Sequence, residues 1–160
     1  SGKSHSGRKL AELLMYKYID IDKLIEKVAK QRINEIFQNE GEEEFRNLET
    51  NCLKETIKIP SLVISTGGGI VTKPENWGVL RQGIIIWLDT KHEIALERLK
   101  NDTENRPLLD GKDLNKTYMR IFQSRENLYS RADIRVEVDN ENVEEVAKKI
   151  VYEIHKKISN

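Results

Sequence analysis

The stretch Leu62-Val-Ile-Ser-Thr-Gly-Gly-Gly-Ile-Val71 constrains this chain most, because an apolar run too short for a helix stops at three consecutive glycines. Leu62, Val63 and Ile64 favour a strand covered on both faces. Gly67, Gly68 and Gly69 then form either a plain turn or a side-chain-free floor, where a ligand can touch backbone N–H groups directly. A floor of that kind suits a small polar substrate.

The rest of the chain bears on that choice. With 160 residues and 38% hydrophobic content, the sequence fits one domain, 1–160, with a real core. Lys plus Arg and Asp plus Glu both number 27, so no global field points to nucleic acid or an anionic membrane, and neither partner is expected. Cys52 is the sole cysteine, which excludes a disulfide framework and a cysteine-based zinc site and fits a reducing compartment. It shares a helical stripe with Phe45, Leu48 and Leu53, so a packed thiol is expected rather than a nucleophile. The sequence contains no apolar run of membrane-spanning length. A cytoplasmic protein is expected.

Ser1-Gly2-Lys3-Ser4 followed by Leu10, Leu13 and Leu14 at helical spacing matches the second half of a phosphate-binding loop. In the full pattern, loop N–H groups and a helix N-terminus cradle phosphates, the lysine reaches the β and γ oxygens, and the hydroxyl holds Mg²⁺. Here the first glycine and the strand before it do not precede the motif, which by itself is also compatible with coincidence.

Tyr18-Ile19-Asp20-Ile21-Asp22 reads as a short strand carrying two acids on one side. One acid can organise water around Mg²⁺ while the other accepts a hydroxyl proton from a phosphoryl acceptor; alternatively, Asp22 caps a helix starting near Lys23. Ile25, Ala29 and Ile33 continue a helical face to Ile36-Phe37, ending near Gly41. Glu42 to about Thr56 reads as a second helix, with Phe45, Leu48, Cys52 and Leu53 inward and Glu43, Glu44, Asn47 and Lys54 outward. Arg46, at the margin of that apolar stripe, is either a surface partner for glutamates or a planar fork for a substrate carboxylate.

A short helix from Pro74 to Leu80, a strand over Gly83–Asp89 and a helix over Ile94–Leu99 follow, and two apolar strands separated by a helix argue for parallel pairing. The polar run from Asn101, punctuated by Pro107 and Gly111, reads as a lid over about 101–116. Arg106 at its start is either a solvated arginine or one that swings onto phosphates. Leu114 to about Ser130 reads as a helix bearing Arg120 and Arg125, with Arg131 just beyond, Ile134–Val138 as a strand, and Val143–Ile158 as a closing amphipathic helix.

Taken together, Gly-Lys-Ser, Asp20-x-Asp22, Gly41-Glu-x-x-Phe-Arg-x-x-Glu49, Gly67-Gly-Gly69, Arg106-Pro-Leu-Leu109 and Arg125-x-x-Leu-Tyr129 occur in the order and approximate spacing of shikimate kinase, which the whole chain resembles. The stretches around Asn76-Trp77 and Trp87-Leu-Asp89 resemble the cyanobacterial and plastid members, so a plastid stroma is the alternative location. The resemblance implies transfer of the ATP γ-phosphate to the 3-hydroxyl of shikimate, with one Mg²⁺, in the route to chorismate and the aromatic amino acids, by a monomer. It implies that Asp22 holds substrate hydroxyls and acts as base, that Arg46 and Arg125 clamp the carboxylate, and that Gly67, Gly68 and Gly69 form the floor. It places Ser1, Gly2, Lys3, Ser4 and His5 at the nucleotide, Ser4 and Asp20 in the Mg²⁺ shell, and Arg106 on the phosphates. Substrate-binding helices are expected over about 22–57.

Two departures from the family pattern bear on the nucleotide end. Arg98 is the nearest candidate for an adenine-contacting arginine but sits about one residue off, and Asp139-Asn-Glu-Asn142 is short and lacks a proline. The implied fold is a three-layer α/β domain of the P-loop nucleoside-monophosphate-kinase-like type, with a five-stranded parallel sheet in the complete family member and four strands supplied here. The missing first strand is expected between those at Leu62 and Ile84. The natural protein is therefore expected to begin upstream of Ser1, and residues 1–160 alone to be poorly folded and inactive. A gluconate-kinase-like enzyme shares the phosphate loop but needs no pair of carboxylate-clamping arginines. A nucleoside monophosphate kinase needs a base pocket on the acceptor side, and a non-catalytic homologue needs no Lys3, Asp20 and Asp22 together.

Overall fold

The computed structural model describes residues 2–101 and 113–159, with side chains from residue 5 onward. Helix α1 (Gly2–Leu14) leads to strand β1 (Lys17–Asp20), helices α2 (Ile21–Ala29) and α3 (Ile33–Thr56) and strand β2 (Leu62–Ser65). A 3₁₀ turn (Gly68–Thr72), helix α4 (Pro74–Leu80), strand β3 (Ile86–Thr90) and helix α5 (His92–Asn101) follow. Helix α6 (Leu114–Tyr129), strand β4 (Ile134–Val138) and helix α7 (Val143–Ser159) complete the described elements.

The strands form two parallel pairs. In β1–β2, Tyr18 lies opposite Val63 and Asp20 opposite Ser65; in β3–β4, Trp87 lies opposite Arg135 and Thr90 opposite Val138. Strand period sorts the side chains into layers. Val63 joins the core that Leu10, Val136, Val146, Ala147 and Ile150 build with α1 and α7, whereas its neighbour Ile64 packs into the core of Ile21, Ile25, Ile36 and Phe45 under α2 and α3. Ile86 and Leu88 of β3 join the α1/α7 core, so that core spans both pairs. Helices thus cover opposite faces of parallel strands, as the three-layer reading requires.

Several local features depart from the sequence reading. Leu62, Val63, Ile64 and all of β3 are half-buried rather than fully covered, because each of β2 and β3 has a single strand partner among the described residues. Strand β1 ends at Asp20, and Asp22 belongs to the first turn of α2 instead of the strand. The Asp20 carboxylate accepts from Asp22 N–H at 2.9 Å and Lys23 N–H at 3.3 Å, so Asp20 rather than Asp22 is the helix cap. The expected run from Ile25 through Ile33 breaks at Lys30, which is left-handed (φ 56°), and restarts at Ile33, whose N–H donates to Glu26 at 3.1 Å. Gly41 (φ 88°) kinks α3 where two separate helices were expected. Strand β3 starts at Ile86 because the Asp133 side chain takes the Ile85 N–H at 2.7 Å. Among the described residues no helix is long and apolar enough to cross a membrane.

Candidate active site

The site grows from the ends of β1 and β2. Asp20 and Ser65 are register partners and the last residues of parallel strands, so both chains leave the sheet at the same end. One turns into α2 and carries Asp22; the other enters the glycine turn. A Cβ built on Gly67 would lie 3.4 and 3.6 Å from the two Asp22 carboxylate oxygens and 3.8 Å from Glu49 Oε2. A Cβ on Gly69 would collide with the Arg46 guanidinium, with Nη1 at 2.5 Å and Cζ at 2.6 Å. Gly67 has ordinary extended dihedrals (φ −72°) and its Cβ would make only van der Waals contacts with Asp22 and Glu49, so the close approach that requires a glycine is at Gly69.

Arg46 is held from three directions. Its Nη1 donates to Glu49 Oε1 at 3.0 Å, its Nη2 to Glu42 at 3.4 Å, and its guanidinium carbon lies 5.2 Å from the centre of the Phe45 ring. Only 13% of the side chain is exposed, and only 1% of Glu49's, which makes this a buried ion pair whose members fix each other. Burial pushes the Glu49 carboxyl above its ordinary range against the opposing pull of Arg46, with Asp22 raising it further and Arg125 lowering it. The charges of Asp22, Arg46 and Arg125 therefore all reach one buried carboxylate. Glu49 Oε2 and Arg46 Nε have no hydrogen-bond partner among the described residues.

Arg125 is half-buried on α6, and one turn later the Tyr129 hydroxyl donates to Gly68 C=O at 3.0 Å. This fixes α6 beside the glycine turn, opposite α2 and α3. The structure thus brings together Asp22, Arg46, Gly67, Gly68, Gly69 and Arg125. It also brings in Glu49, for which the sequence reading had no role; its signal was a carboxylate on an apolar helical stripe, one turn from an arginine.

At the other end, Gly2 begins α1 and His5 is exposed on it. Ser1, Arg106 and residues 102–112 of the expected lid lie outside the described residues, as do the side chains of Lys3 and Ser4, whereas the ends of the expected lid are helical, Asn101 closing α5 and 114–116 opening α6. Arg98 and Glu141, the latter from the short loop before α7, both line a small open depression at the ends of β3 and β4. Two elements expected at an adenine thus face one depression. Lys149 and the Asp139 N–H hold the Glu141 carboxylate down to about 2. Asp20 spends part of its carboxylate on the α2 cap, and among the described residues no three His, Cys, Asp or Glu side chains cluster to cage a metal.

A family model described as shikimate kinase matches residues 1–155. Two relatives named shikimate kinase, from two strains of Prochlorococcus marinus, are similar to the chain. The strain NATL2A protein is 47% identical over 92% of this chain and 74% of its own length, and the strain SARG protein 51% identical over 92% and 78%. Among solved structures, shikimate kinase from Acinetobacter baumannii in complex with shikimate superposes with a TM-score of 0.93 at 36% identity, covering 97% of this chain and 87% of that one. The shikimate kinase of Bacteroides thetaiotaomicron gives a TM-score of 0.87 at 27% identity, covering 96% and 92%.

Proposed function

The chain belongs to the shikimate kinase family, and from that premise we propose that it transfers the γ-phosphoryl group of ATP to the 3-hydroxyl of shikimate, giving shikimate 3-phosphate and ADP. The observation that carries this reading is the glycine turn with the Asp22 carboxylate against Gly67 and the Arg46 guanidinium against Gly69. Arg46 and Arg125 take the shikimate carboxylate, a planar fork matching a planar anion. Asp22 accepts hydrogen bonds from the ring hydroxyls and removes the proton from the attacking one. The new O–P bond forms as the bond to the β-phosphate oxygen breaks, and ADP leaves with that electron pair.

On the nucleotide side, Ser1, Gly2, Lys3, Ser4 and His5 form the α1 end of the phosphate site, Lys3 and Arg106 neutralise phosphoryl oxygens, and Arg98 lies at the base. The donor set suits an ion that keeps phosphate and water ligands, because Asp20 is already engaged as a helix cap. Ser4 and Asp20 would hold Mg²⁺, which would supply charge neutralisation to the phosphates. The buried cysteine and the balanced charge support a reducing cytoplasm or plastid stroma. We take the enzyme to be a monomer. The test is an ADP-release assay with shikimate, gluconate and AMP as separate acceptors. Turnover with shikimate alone is expected, and equal or greater turnover with gluconate or AMP overturns the assignment.

A further inference from the structure

Four consecutive backbone carbonyls of the glycine turn accept four different side chains. Gly68 C=O takes the Tyr129 hydroxyl at 3.0 Å, Gly69 C=O the Thr72 hydroxyl at 2.7 Å, Ile70 C=O the Asn76 amide at 2.9 Å, and Val71 C=O the Trp77 indole N–H at 3.0 Å. A 3₁₀ turn has poor backbone hydrogen-bond geometry, and the Ile70 N–H to Gly67 C=O bond at its start is long at 3.3 Å. Side chains therefore set the orientation of these peptides.

Two of the donors tie the turn to the arginine-bearing helices. Asn76, fully buried, accepts from the Thr50 hydroxyl at 2.8 Å, and Thr50 lies one turn beyond Arg46 on α3. Tyr129 lies one turn beyond Arg125 on α6. The turn is thus the shared anchor of both arginines. The Gly68–Gly69 peptide is trans, so holding its carbonyl on Tyr129 points the Gly69 N–H away from α6.

We propose that Tyr129 is a positioning residue for the acceptor site, acting through the Gly68 carbonyl to fix the floor and its spacing from the Arg125 helix. This rests on the shikimate reading above and deepens it. Tyr129→Phe removes the hydroxyl but keeps the ring, which sits 5.8 Å from Trp87 and 6.2 Å from Phe122, so the fold is retained.

In the full chain, Tyr129→Phe is expected to raise KM for shikimate about three- to tenfold, the worth of one hydrogen bond. The kcat should stay within about twofold and KM for ATP should be unchanged. Amide exchange over 67–72 should accelerate. Ile150→Val, in the core remote from the turn, should lower the melting temperature without moving KM for shikimate. An unchanged KM in Tyr129→Phe, or an equal rise in Ile150→Val, overturns the proposal. If the native protein turns over no shikimate, the functional reading fails separately. The positioning role is then judged on amide exchange over 67–72 alone, and unchanged exchange in Tyr129→Phe overturns it.

Discussion

Gly69→Ala tests the site at its tightest contact. Its Cβ would stand 2.5 Å from Arg46 Nη1 and closer still to Nη2, against about 3.4 Å for ordinary contact, so the guanidinium or the turn must give by at least about 0.9 Å. A shift of that size takes the 3.0 Å Nη1–Glu49 bond out of hydrogen-bond range. Losing that charge-assisted bond costs about 1.5–3 kcal/mol, and more if Arg46 swings into solvent and leaves Glu49 buried alone. Against this, alanine restricts the unfolded chain and returns only about 0.4–1 kcal/mol. The net expectation is a loss of stability of about 1–2 kcal/mol in urea denaturation, and a fall in shikimate affinity of at least about tenfold by titration, with ATP binding unchanged. Gly78→Ala is the control, because a Cβ there meets nothing within 4 Å in the middle of α4, and it should be neutral or stabilising. Native shikimate affinity in Gly69→Ala, or equal damage from Gly78→Ala, refutes the placement of Arg46 against the turn.

Asp22→Asn should lower kcat by about 10² to 10⁴ while ATP binding by calorimetry stays near native; retention of a tenth of the activity removes Asp22 from the role of base. Glu49→Gln should change the pH dependence of stability. A carboxyl whose folded pKa is raised loses stability as pH climbs from 4.5 through the folded value, so urea melts across that window should show a smaller fall in the variant. Glu141 has the opposite sign: with a folded pKa of about 2, the stability it contributes is full above 4.5 and is lost as pH falls toward 2. For this partly exposed pair the loss should be about 1 kcal/mol, and Glu141→Gln should flatten that acid limb.

The parts of this fold that are legible in the sequence are those set by local period or composition. Ile134-Arg-Val-Glu-Val138 alternates apolar and polar residues and buries Ile134, Val136 and Val138 while exposing Arg135 and Glu137. The inward face of α3 at Phe45, Cys52 and Leu53 follows its helical stripe in the same way. The glycine triplet is legible as a floor, but its cause is not, since the crowding at Gly69 comes from a side chain 23 positions upstream. The break at Lys30 leaves no trace because lysine rarely adopts a left-handed conformation and neither glycine nor proline marks it. Asp20 and Asp22 read as two acids on a strand because a strand end and a helix cap look alike at that spacing; the structure separates them by ending β1 at Asp20. The turn's outside supports are less accessible still. The Tyr129–Gly68 and Thr50–Asn76 bonds span 61 and 26 residues, and the identities of these side chains carry no sign of their partners.

Parallel pairing explains why the two halves of the site lie where they do. Ligands of open parallel sheets bind beyond the carboxyl ends of the strands. Strands β1 and β2 end together at Asp20 and Ser65, which deliver Asp22 and the glycine turn; β3 and β4 end together at Thr90 and Val138, both of which line the depression beside Arg98 and Glu141. Helix α1 connects the two halves. A Cβ on Gly7 would overlap the Ser65 hydroxyl and come 2.9 Å from the Tyr18 ring, so α1 sits directly on the last residue of β2, while Leu10, one turn further on, packs against β4 and α7. The Tyr18 hydroxyl donates to Ser65 at 3.0 Å from the neighbouring strand, closing that contact from the other side. The helix that begins with Gly-Lys-Ser is therefore seated two residues upstream of the glycine floor. Only a residue without a side chain allows so close an approach at Gly7, and the spacing between the phosphate helix and the acceptor floor is set at that contact.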